Sequence, residues 1–466
     1  MKNELKEKSE FYFGNMAVFI PILFLIVSIL FMVIEKRASL KTFWICGFFS
    51  ILLSYVLTKD KKKFGEKCVK SLNNNSLLTC ILIFILAGIL SNILKDTGIS
   101  NAFLMLSMKA GISVKFLPAI IFIICCIIST CIGTSTGTIS MAVPIFLPLT
   151  ASINCNPALI LGAIVCGSFF GDNLSPISDT TIISVTTMKA NLYDTLKERA
   201  KVSLACLVLS SIIYIVLGQV LITDTTINMT FSSSLKPLIM MSTFILMIVL
   251  LIKKYDMISV LLICDAYAIF IGIIFGFINI MDLFSKNSCI ISGIEGVFGV
   301  IIFWIFLFIL IGFIPNKMLE NIVEKKVNES DSPLKTNCLA VLTIILSVIM
   351  VSNNTAAMSL ISKFIDKSFK NKTQIQKANI YDGISCAVPG ILTYNTAFML
   401  MVSLAYDTGC VPENFSVFSI TLYSVNSILL LIAYITMALY NPKDKYSIKN
   451  KENKQNLKVE ANSIDK

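Results

Sequence analysis

The sequence predicts an all-α polytopic membrane protein with about ten transmembrane helices and two re-entrant hairpins, arranged as two inverted-topology repeats with broken helices. Composition is the first reason: of 466 residues, 56% are hydrophobic and 14% charged, and the mean hydropathy is +0.81. Soluble globular proteins do not reach these values. Run length is the second: apolar runs of about 17 to 25 residues recur, which suits helices and not barrel strands of about ten residues.

Ten apolar segments have the length and regularity of transmembrane helices. They are residues 16–34, 42–58, 77–94, 157–188, 202–222, 235–252, 257–281, 290–314, 380–404 and 416–440. Two less regular segments, 119–150 and 337–362, carry polar clusters in their middle and are predicted to be re-entrant hairpins. The first run is too long for the apolar region of a signal peptide and lacks a small-residue cleavage site, so no cleavable signal is predicted.

The distribution of positive charge is the third reason. With a cytoplasmic N-terminus and two hairpins, 31 of the 39 Lys and Arg residues fall on one face. The positive-inside rule assigns that face to the cytoplasm of a cell membrane. The loops on it are 1–15, 59–76, 189–201, 253–256, 315–336, 363–379 and 441–466. The net charge of +11 therefore reflects lysine-rich loops, and no nucleic-acid partner is expected.

The same topology divides the chain into two halves of five spans with opposite orientation. Residues 1–15 form a cytoplasmic N-terminus, 16–222 the first repeat, 223–440 the second repeat, and 441–466 a lysine-rich cytoplasmic tail that is predicted to be disordered. Each repeat has one hairpin before its fourth span. Inverted repeats of this kind are typical of secondary transporters, whose sites lie at midplane between the halves.

Composition also narrows the chemistry. The chain has no histidine, so the commonest metal ligand and proton relay are absent. The 14 cysteines are scattered, many within apolar runs, and are interpreted as small buried hydrophobes. No P-loop motif occurs, so ATP is not the expected energy source. We expect no cofactor and no metal other than a transported ion.

The segment Gly171–Thr181, with the sequence GDNLSPISDTT, places two carboxylates inside a predicted span. An ionised Asp at the bilayer centre costs about 2.5–3.5 kcal/mol on insertion scales, so two of them indicate an ion path. Pro176 breaks the helix and frees backbone carbonyls. Together with Asp172 and Asp179, the hydroxyls of Ser175, Ser178, Thr180 and Thr181 offer hard oxygen ligands suited to Na+. The alternative is a polar kink that neighbouring helices satisfy.

Further polar groups occur in both hairpins and in the ninth span. The first hairpin contributes Thr134, Ser135 and Thr136, although such hydroxyls often bond to their own helix backbone. The second half contributes the supporting residues Asn353, Asn354, Asp382, Asn395 and Thr396. Pro389 predicts a second break. Asp382 lies near the cytoplasmic end of its span, so a solvated interfacial carboxylate is an equal alternative to a ligand.

Asp265 stands alone in a strongly apolar span and is a candidate second titratable site. Its alternatives are a packing pair with a lysine or hydroxyl, or a carboxyl group that stays protonated.

The broken-helix motif resembles the NhaC family of sodium/proton antiporters in the ion transporter superfamily. That family's pattern is close to GDKLSPLSDTTNLA, and Gly171–Thr181 follows it; Gly133–Thr138 resembles the family's GTSWGT. Weaker similarity continues through Asp382 and Tyr394–Thr396. The sequence departs from the patterns at Asn173 (lysine), Thr136 (tryptophan) and Ile182 (asparagine). The resemblance implies a transporter and leaves open exchangers that couple malate and lactate to Na+ and H+.

The predicted function is Na+/H+ antiport by alternating access, with Na+ and H+ competing for Asp179, the first choice of ligand, and Asp172, the second. Replacing Asp179 by Asn is expected to abolish pH-dependent Na+ flux. An organic-anion exchanger is the main alternative, disfavoured because the only arginines, Arg37 and Arg199, are placed in loops. A membrane enzyme using both carboxylates is disfavoured by the lack of histidine. The expected partners are Na+, H+ and the lipid bilayer; homo-oligomerisation is left open.

Overall fold

A computed structural model describes residues 11–34, 40–73, 75–97, 113–148, 150, 155–222, 236–253, 255–286, 288–314, 332–369, 371–412 and 415–440. The predictions for most of the N-terminus, for Arg37 and for the tail 441–466 lie outside these residues. Within them, nearly all of the chain is helical. Phe11 and Thr58 form one isolated antiparallel bridge.

The described part of the first half contains nine α-helices. They are α1 (Phe19–Ile34), α2 (Leu40–Leu57), α3 (Phe64–Leu72), α4 (Asn75–Thr97), α5 (Leu117–Ile132), α6 (Ser135–Phe146), α7 (Pro157–Leu174), α8 (Asp179–Thr187) and α9 (Leu192–Leu221). Three of the predicted cytoplasmic loops are more helical than expected. The loop 59–76 contains α3, most of the loop 189–201 belongs to α9, and most of the loop 363–379 belongs to the helices Asn354–Ser368 and Gln374–Ala387.

The described part of the second half also contains nine α-helices. They are α10 (Met241–Ile252), α11 (Met257–Ile274), α12 (Cys289–Gly312), α13 (Pro333–Val351), α14 (Asn354–Ser368), α15 (Gln374–Ala387), α16 (Thr396–Asp407), α17 (Phe418–Leu422) and α18 (Val425–Leu439). A short 3₁₀ helix, Val388–Gly390, follows α15 directly.

Seven helical segments in the described part of the chain are long and apolar enough to cross a membrane. They are Leu77–Thr97, Val114–Cys131, Pro157–Thr187, Leu192–Leu221, Met257–Ile274, Cys289–Gly312 and Pro333–Val351. Six further apolar helices are 10–17 residues long. The chain is therefore a multi-pass membrane protein, and ten spans remain a prediction.

Helix α9 shows how the fold is adapted to lipid. One face exposes Leu204, Val208, Ile212 and Val216, spaced four residues apart. The opposite face is buried and rich in polar or small side chains, namely Thr195, Arg199, Ser203, Cys206, Ser210, Tyr214 and Gly218. Polar residues inside and apolar residues outside reverse the pattern of a soluble helix, as expected where the outer solvent is hydrocarbon.

Candidate functional site

The predicted helix break at Pro176 is present in the structure. Helix α7 ends at Leu174, and α8 begins at Asp179. Ser175 caps α7, because its N–H donates to the Gly171 carbonyl over 2.8 Å. Proline cannot continue the helix, since it has no N–H and its ring clashes with the preceding turn. The four intervening residues therefore present polar backbone groups in the middle of the fold.

Two glycines on α7 bring the first hairpin against this break. A Cβ on Gly167 would lie 2.7 Å from the Phe122 carbonyl oxygen, and one on Gly171 would overlap Ser129. Small residues four apart let two membrane helices approach closely. Ser129 Oγ donates a short hydrogen bond to the Ser168 carbonyl across the contact. Helix α5 is thus held on α7, with its C-terminal end beside the break.

The tip of the first hairpin consists of Gly133 and Thr134. Gly133 has a left-handed backbone (φ 76°, ψ 19°), and Thr134 is extended before α6 begins. A Cβ on Gly133 would lie 2.7 Å from Ile177 Cγ1 and 3.2 Å from the Ser178 nitrogen. Glycine is therefore required here for its conformation and for its size.

Asp172 is the carboxylate at this junction. Its side chain is buried, with the residue 6% exposed. The Ser135 N–H, in the first turn of α6, donates to Asp172 Oδ1 over 2.9 Å. Hydrogen bonds from a helix N-terminus to a carboxylate are charge-assisted and favourable. The structure thus brings together the predicted residues Asp172 and Ser135 from two separate helices.

The predicted hydroxyl groups surround the same junction. Ser178 Oγ and Thr180 Oγ1 are 3.0 Å apart, and Thr180 Oγ1 also donates to the Asp172 carbonyl over 3.2 Å. Ser175 Oγ accepts the Ile177 N–H over 3.4 Å. In the tip, Thr134 Oγ1 and Thr136 Oγ1 are 2.9 Å apart. These hard oxygens match the ligand preference of an alkali cation.

Asp179 differs from Asp172 in its surroundings. It occupies the first position of α8 and is exposed, whereas Asp172 is buried. The ranking of Asp179 before Asp172 stays a prediction. Burial distinguishes the two carboxylates, because an ionised Asp172 is removed from water and needs a bound cation, a proton or hydrogen bonds more than Asp179 does.

The second hairpin repeats the arrangement with amides. Its tip is Ser352 and Asn353, between α13 and α14. The Ser352 carbonyl accepts from Asn395 Nδ2 over 2.8 Å and from the Thr396 N–H over 3.1 Å. Asn353 Nδ2 lies 3.4 Å from Thr396 Oγ1. The structure therefore brings Asn353, Asn395 and Thr396 together at the second break, and buries Asn354 next to the tip.

Asp382 does not join that cluster. The alternative that it is a solvated carboxylate at the membrane interface was wrong. The residue is fully buried in α15 and faces the first half of the chain. Its Oδ2 lies 2.8 Å from Arg199 Nη1 and accepts Asn173 Nδ2 over 2.8 Å. The predicted span begins at residue 380, two residues before Asp382. Helix α15 begins six residues earlier, at Gln374, so Asp382 lies deeper in its helix than predicted.

The placement of Arg199 in a loop was also wrong. Arg199 lies in the second turn of α9 and is fully buried. A signal in the sequence was available: Asn191 caps the helix, and Asp194 lies in its first turn. This combination marks a helix start ten residues earlier than the apolar run.

All three guanidinium nitrogens of Arg199 have hydrogen-bond acceptors. Nε donates to Asn379 Oδ1 over 2.9 Å, and Nη2 lies 3.3 Å from Ser184 Oγ. Besides Asp382, Nη1 contacts the Asn173 carbonyl oxygen at 2.7 Å and Thr181 Oγ1 at 2.8 Å. Thr181, predicted as an ion ligand, is therefore held by Arg199.

Asp265 lies apart from the central site. It is buried in α11, and neither carboxyl oxygen has a hydrogen-bond partner among the described residues. The predicted pairing with a lysine or hydroxyl is thus not seen in the described part of the chain.

Comparison with known proteins finds similarity to Na+/H+ antiporters. Residues 9–219 match the model of the Na+/H+ antiporter family. An uncharacterized Na+/H+ antiporter of Haemophilus influenzae is 29% identical over 172 residues, covering 37% of this chain and 35% of the relative. The NhaC Na+/H+ antiporter of Alkalihalophilus pseudofirmus is 27% identical over 146 residues, covering 31% of each chain.

A third relative is the malate-2H+/Na+-lactate antiporter of Bacillus subtilis, 27% identical over 175 residues, 38% of this chain and 37% of the relative. The matched segment spans about a third of the length of each of these relatives. Residues 9–219 are therefore similar to the Na+/H+ antiporter family, and the resemblance to NhaC antiporters predicted from the broken-helix motif is confirmed.

Proposed function

We propose that this protein exchanges Na+ for H+ across the cytoplasmic membrane as a secondary active transporter. One observation carries the proposal. Asp172 is a buried carboxylate that lies between a helix break and a hairpin tip, surrounded by hydroxyl and carbonyl oxygens. The match of residues 9–219 to the Na+/H+ antiporter family supports the same activity.

In this proposal Asp172 holds either Na+ or H+, and never both. Na+ is coordinated by the carboxylate with the hydroxyls of Ser175, Ser178 and Thr180, and Asp179 contributes from the exposed side. A proton on Asp172 removes the charge that holds Na+. Competition for one group is sufficient to couple the two fluxes, because the site can reorient only when occupied.

Alternating access is proposed to come from two inverted repeats, 16–222 and 223–440, that rock about the hairpins. The same proposal includes ten spans, cytoplasmic termini and lysine-rich loops on the cytoplasmic face. It is supported by the matching backbone of the two tips, in which a left-handed residue precedes an extended one.

The test uses everted membrane vesicles acidified by respiration, in which Na+-dependent proton efflux is followed with a pH-sensitive dye. Asp172→Asn is expected to abolish the response, since the amide cannot bind a proton and carries no charge. Asp179→Asn, predicted from the sequence to abolish pH-dependent Na+ flux, is expected in this proposal to raise the Na+ concentration needed for half-maximal rate, because Asp179 is exposed. Asp265→Asn tests the candidate second titratable site and is expected to preserve exchange.

Asp194→Asn is the matched control, because Asp194 is an exposed carboxylate in α9 away from the break. It should leave the response unchanged. Normal exchange by Asp172→Asn at unchanged expression would overturn the assignment of the ion site.

A second candidate function is exchange of organic anions, supported by similarity to the malate-2H+/Na+-lactate antiporter. Arg199 speaks against it, because the guanidinium that would hold a carboxylate is buried and bonded to protein groups through all three nitrogens. Adding malate or lactate inside the vesicles distinguishes the two. Anion-dependent proton flux without Na+/H+ exchange would establish the alternative.

A further inference from the structure

The ion pair of Arg199 and Asp382 links the two halves of the chain within the protein interior. Both side chains are fully buried, and their charged atoms are 2.8 Å apart. Arg199 belongs to α9 in the first half, and Asp382 to α15 in the second. A buried charge is tolerated only when it is paired and hydrogen-bonded. Each residue therefore needs the other.

Asn173 connects this pair to the proposed ion site. Its carbonyl accepts from Arg199 Nη1 over 2.7 Å, and its Nδ2 donates to Asp382 Oδ2 over 2.8 Å. Its Oδ1 is held by Ser203 Oγ at 2.7 Å and by the Tyr434 hydroxyl at 3.2 Å. Asn173 directly follows Asp172 in α7, so the residue bonded to the ion pair is the chain neighbour of the proposed ion-binding carboxylate. The ion pair and the proposed site thus share one electrostatic environment.

The charges in this centre can be counted. In this centre, the buried carboxylates among the described residues are Asp172 and Asp382, and the buried cation is Arg199; Asp265 is also buried but lies apart in α11. The neighbouring phenol and thiol groups of Tyr381, Tyr434 and Cys386 belong to types that are ordinarily neutral at pH 7. Asp179 is exposed and is counted apart from these buried groups. The buried groups of the centre therefore carry one net negative charge.

We propose that Arg199 is a fixed counter-cation for Asp382, so that the centre binds one monovalent cation per cycle, Na+ or H+. The inference rests on the proposed function and adds its stoichiometry. Arg199 is a positioning and specificity residue here, not a ligand. Without it, Asp382 would be a second unpaired carboxylate that attracts a second cation. With it, Asp172 is the one buried carboxylate of the centre left to take a cation, and exchange is electroneutral.

The experiment uses the purified full-length protein in liposomes with a trapped pH indicator. Na+ concentration is varied to obtain KM, and valinomycin with K+ gradients sets the membrane voltage. The wild-type protein is expected to exchange one Na+ for one H+ at a rate that voltage does not change, with net flux ceasing when the two gradients are equal. This measurement requires no variant.

The variants change the charge of the centre by one unit or by none. Asp382→Asn leaves Arg199 uncompensated and is expected to raise the KM for Na+ about tenfold or more, because unscreened charges a few ångströms apart interact strongly inside protein. Arg199→Gln leaves Asp382 unpaired and is expected to make exchange respond to voltage. The double variant R199Q/D382N restores the net charge and is expected to exchange electroneutrally with a KM near the wild-type value.

The pair Lys377 and Asp366 provides a matched control, since their charged atoms are 3.5 Å apart and their side chains are 18% and 42% exposed. The variant K377Q/D366N should behave as wild type. Thermal unfolding in detergent reports whether each variant is folded.

Voltage-dependent exchange by the wild-type protein would overturn the inference. So would an unchanged KM in Asp382→Asn, or a folded double variant as impaired as Asp382→Asn. These results leave Na+/H+ exchange intact and are distinct from failure of the proposed function, in which the wild-type protein shows no Na+-dependent proton flux and the inference falls with it.

Discussion

The two hairpin tips have nearly the same backbone and different chemistry. In the first, Gly133 (φ 76°, ψ 19°) precedes Thr134 (φ −146°, ψ 129°). In the second, Ser352 (φ 58°, ψ 10°) precedes Asn353 (φ −139°, ψ 123°). Each tip faces a break in a helix of its own half. The two tips thus share their backbone geometry and differ in their side chains.

The two tips differ in the groups that form hydrogen bonds with them. At the second tip, the Ser352 carbonyl accepts hydrogen bonds from Asn395 and Thr396, and Ser352 Oγ donates to the Tyr394 carbonyl over 3.2 Å. At the first, the helix after the tip donates to the carboxylate of Asp172. The carboxylate of the second half, Asp382, is neutralised by Arg199. Asp172 is therefore the carboxylate that we propose exchanges Na+ for H+, whereas the second tip and Asp382 are bonded to other protein groups.

Among the substitutions that test this comparison, Gly171→Leu is expected to have the largest effect on stability and exchange. The added side chain would overlap Ser129 and push α5 away from α7, separating Ser135 from Asp172. We expect a loss of unfolding free energy of about 3 kcal/mol, the upper range for overpacking, and loss of exchange. Denaturant unfolding in detergent and vesicle transport measure the two effects. Gly65→Ala is the control, because a Cβ there meets nothing within 4 Å; an equal loss in both variants would contradict the close-packing argument.

An intermediate effect is expected from substitutions at the left-handed residue of each tip. Gly133→Ala should cost about 1–2 kcal/mol, because alanine pays for a left-handed backbone and its Cβ meets Ile177. Ser352→Gly should change stability little, since relief of the same backbone strain offsets the lost Oγ hydrogen bond. Unfolding free energies measured side by side check this. Equal destabilisation by both would mean that the tips are not equivalent in conformation.

The smallest effect is expected at the second break. Asn395 caps α16 through the Ala397 N–H and also donates to the Ser352 carbonyl. Asn395→Ala should lower the unfolding free energy by about 1–2 kcal/mol while exchange persists. Asn191→Ala, which removes the cap of α9 alone, should cost less. Abolished exchange in folded Asn395→Ala would show that the second tip carries the ion instead.

Much of the local structure could be predicted from residue type. Pro176 predicted the break, and the hydroxyls beside it predicted a set of hard oxygen ligands. The packing of α5 on α7 was accessible in principle from the pair Gly167 and Gly171, a small-residue motif of membrane helices. Helix ends were less accessible, because apolar runs mark the lipid-facing part of a helix and not its polar first turns. This is why α9 was predicted to begin after Arg199.

The sequence by itself determined that the protein lies in a membrane, that it is helical, that a helix breaks at Pro176 and that hard oxygen ligands surround the break. It did so because hydropathy and backbone constraints act over neighbouring residues. Only the tertiary structure decided which charges meet. Asp172 and Ser135 are 37 residues apart, and Asn173 and Asp382 are separated by 209. Electrostatic energy depends on distance through space and on burial, and neither is encoded in spacing along the chain. Hence Asp382 and Arg199, each placed at a membrane surface by sequence position, prove to be partners in the protein interior.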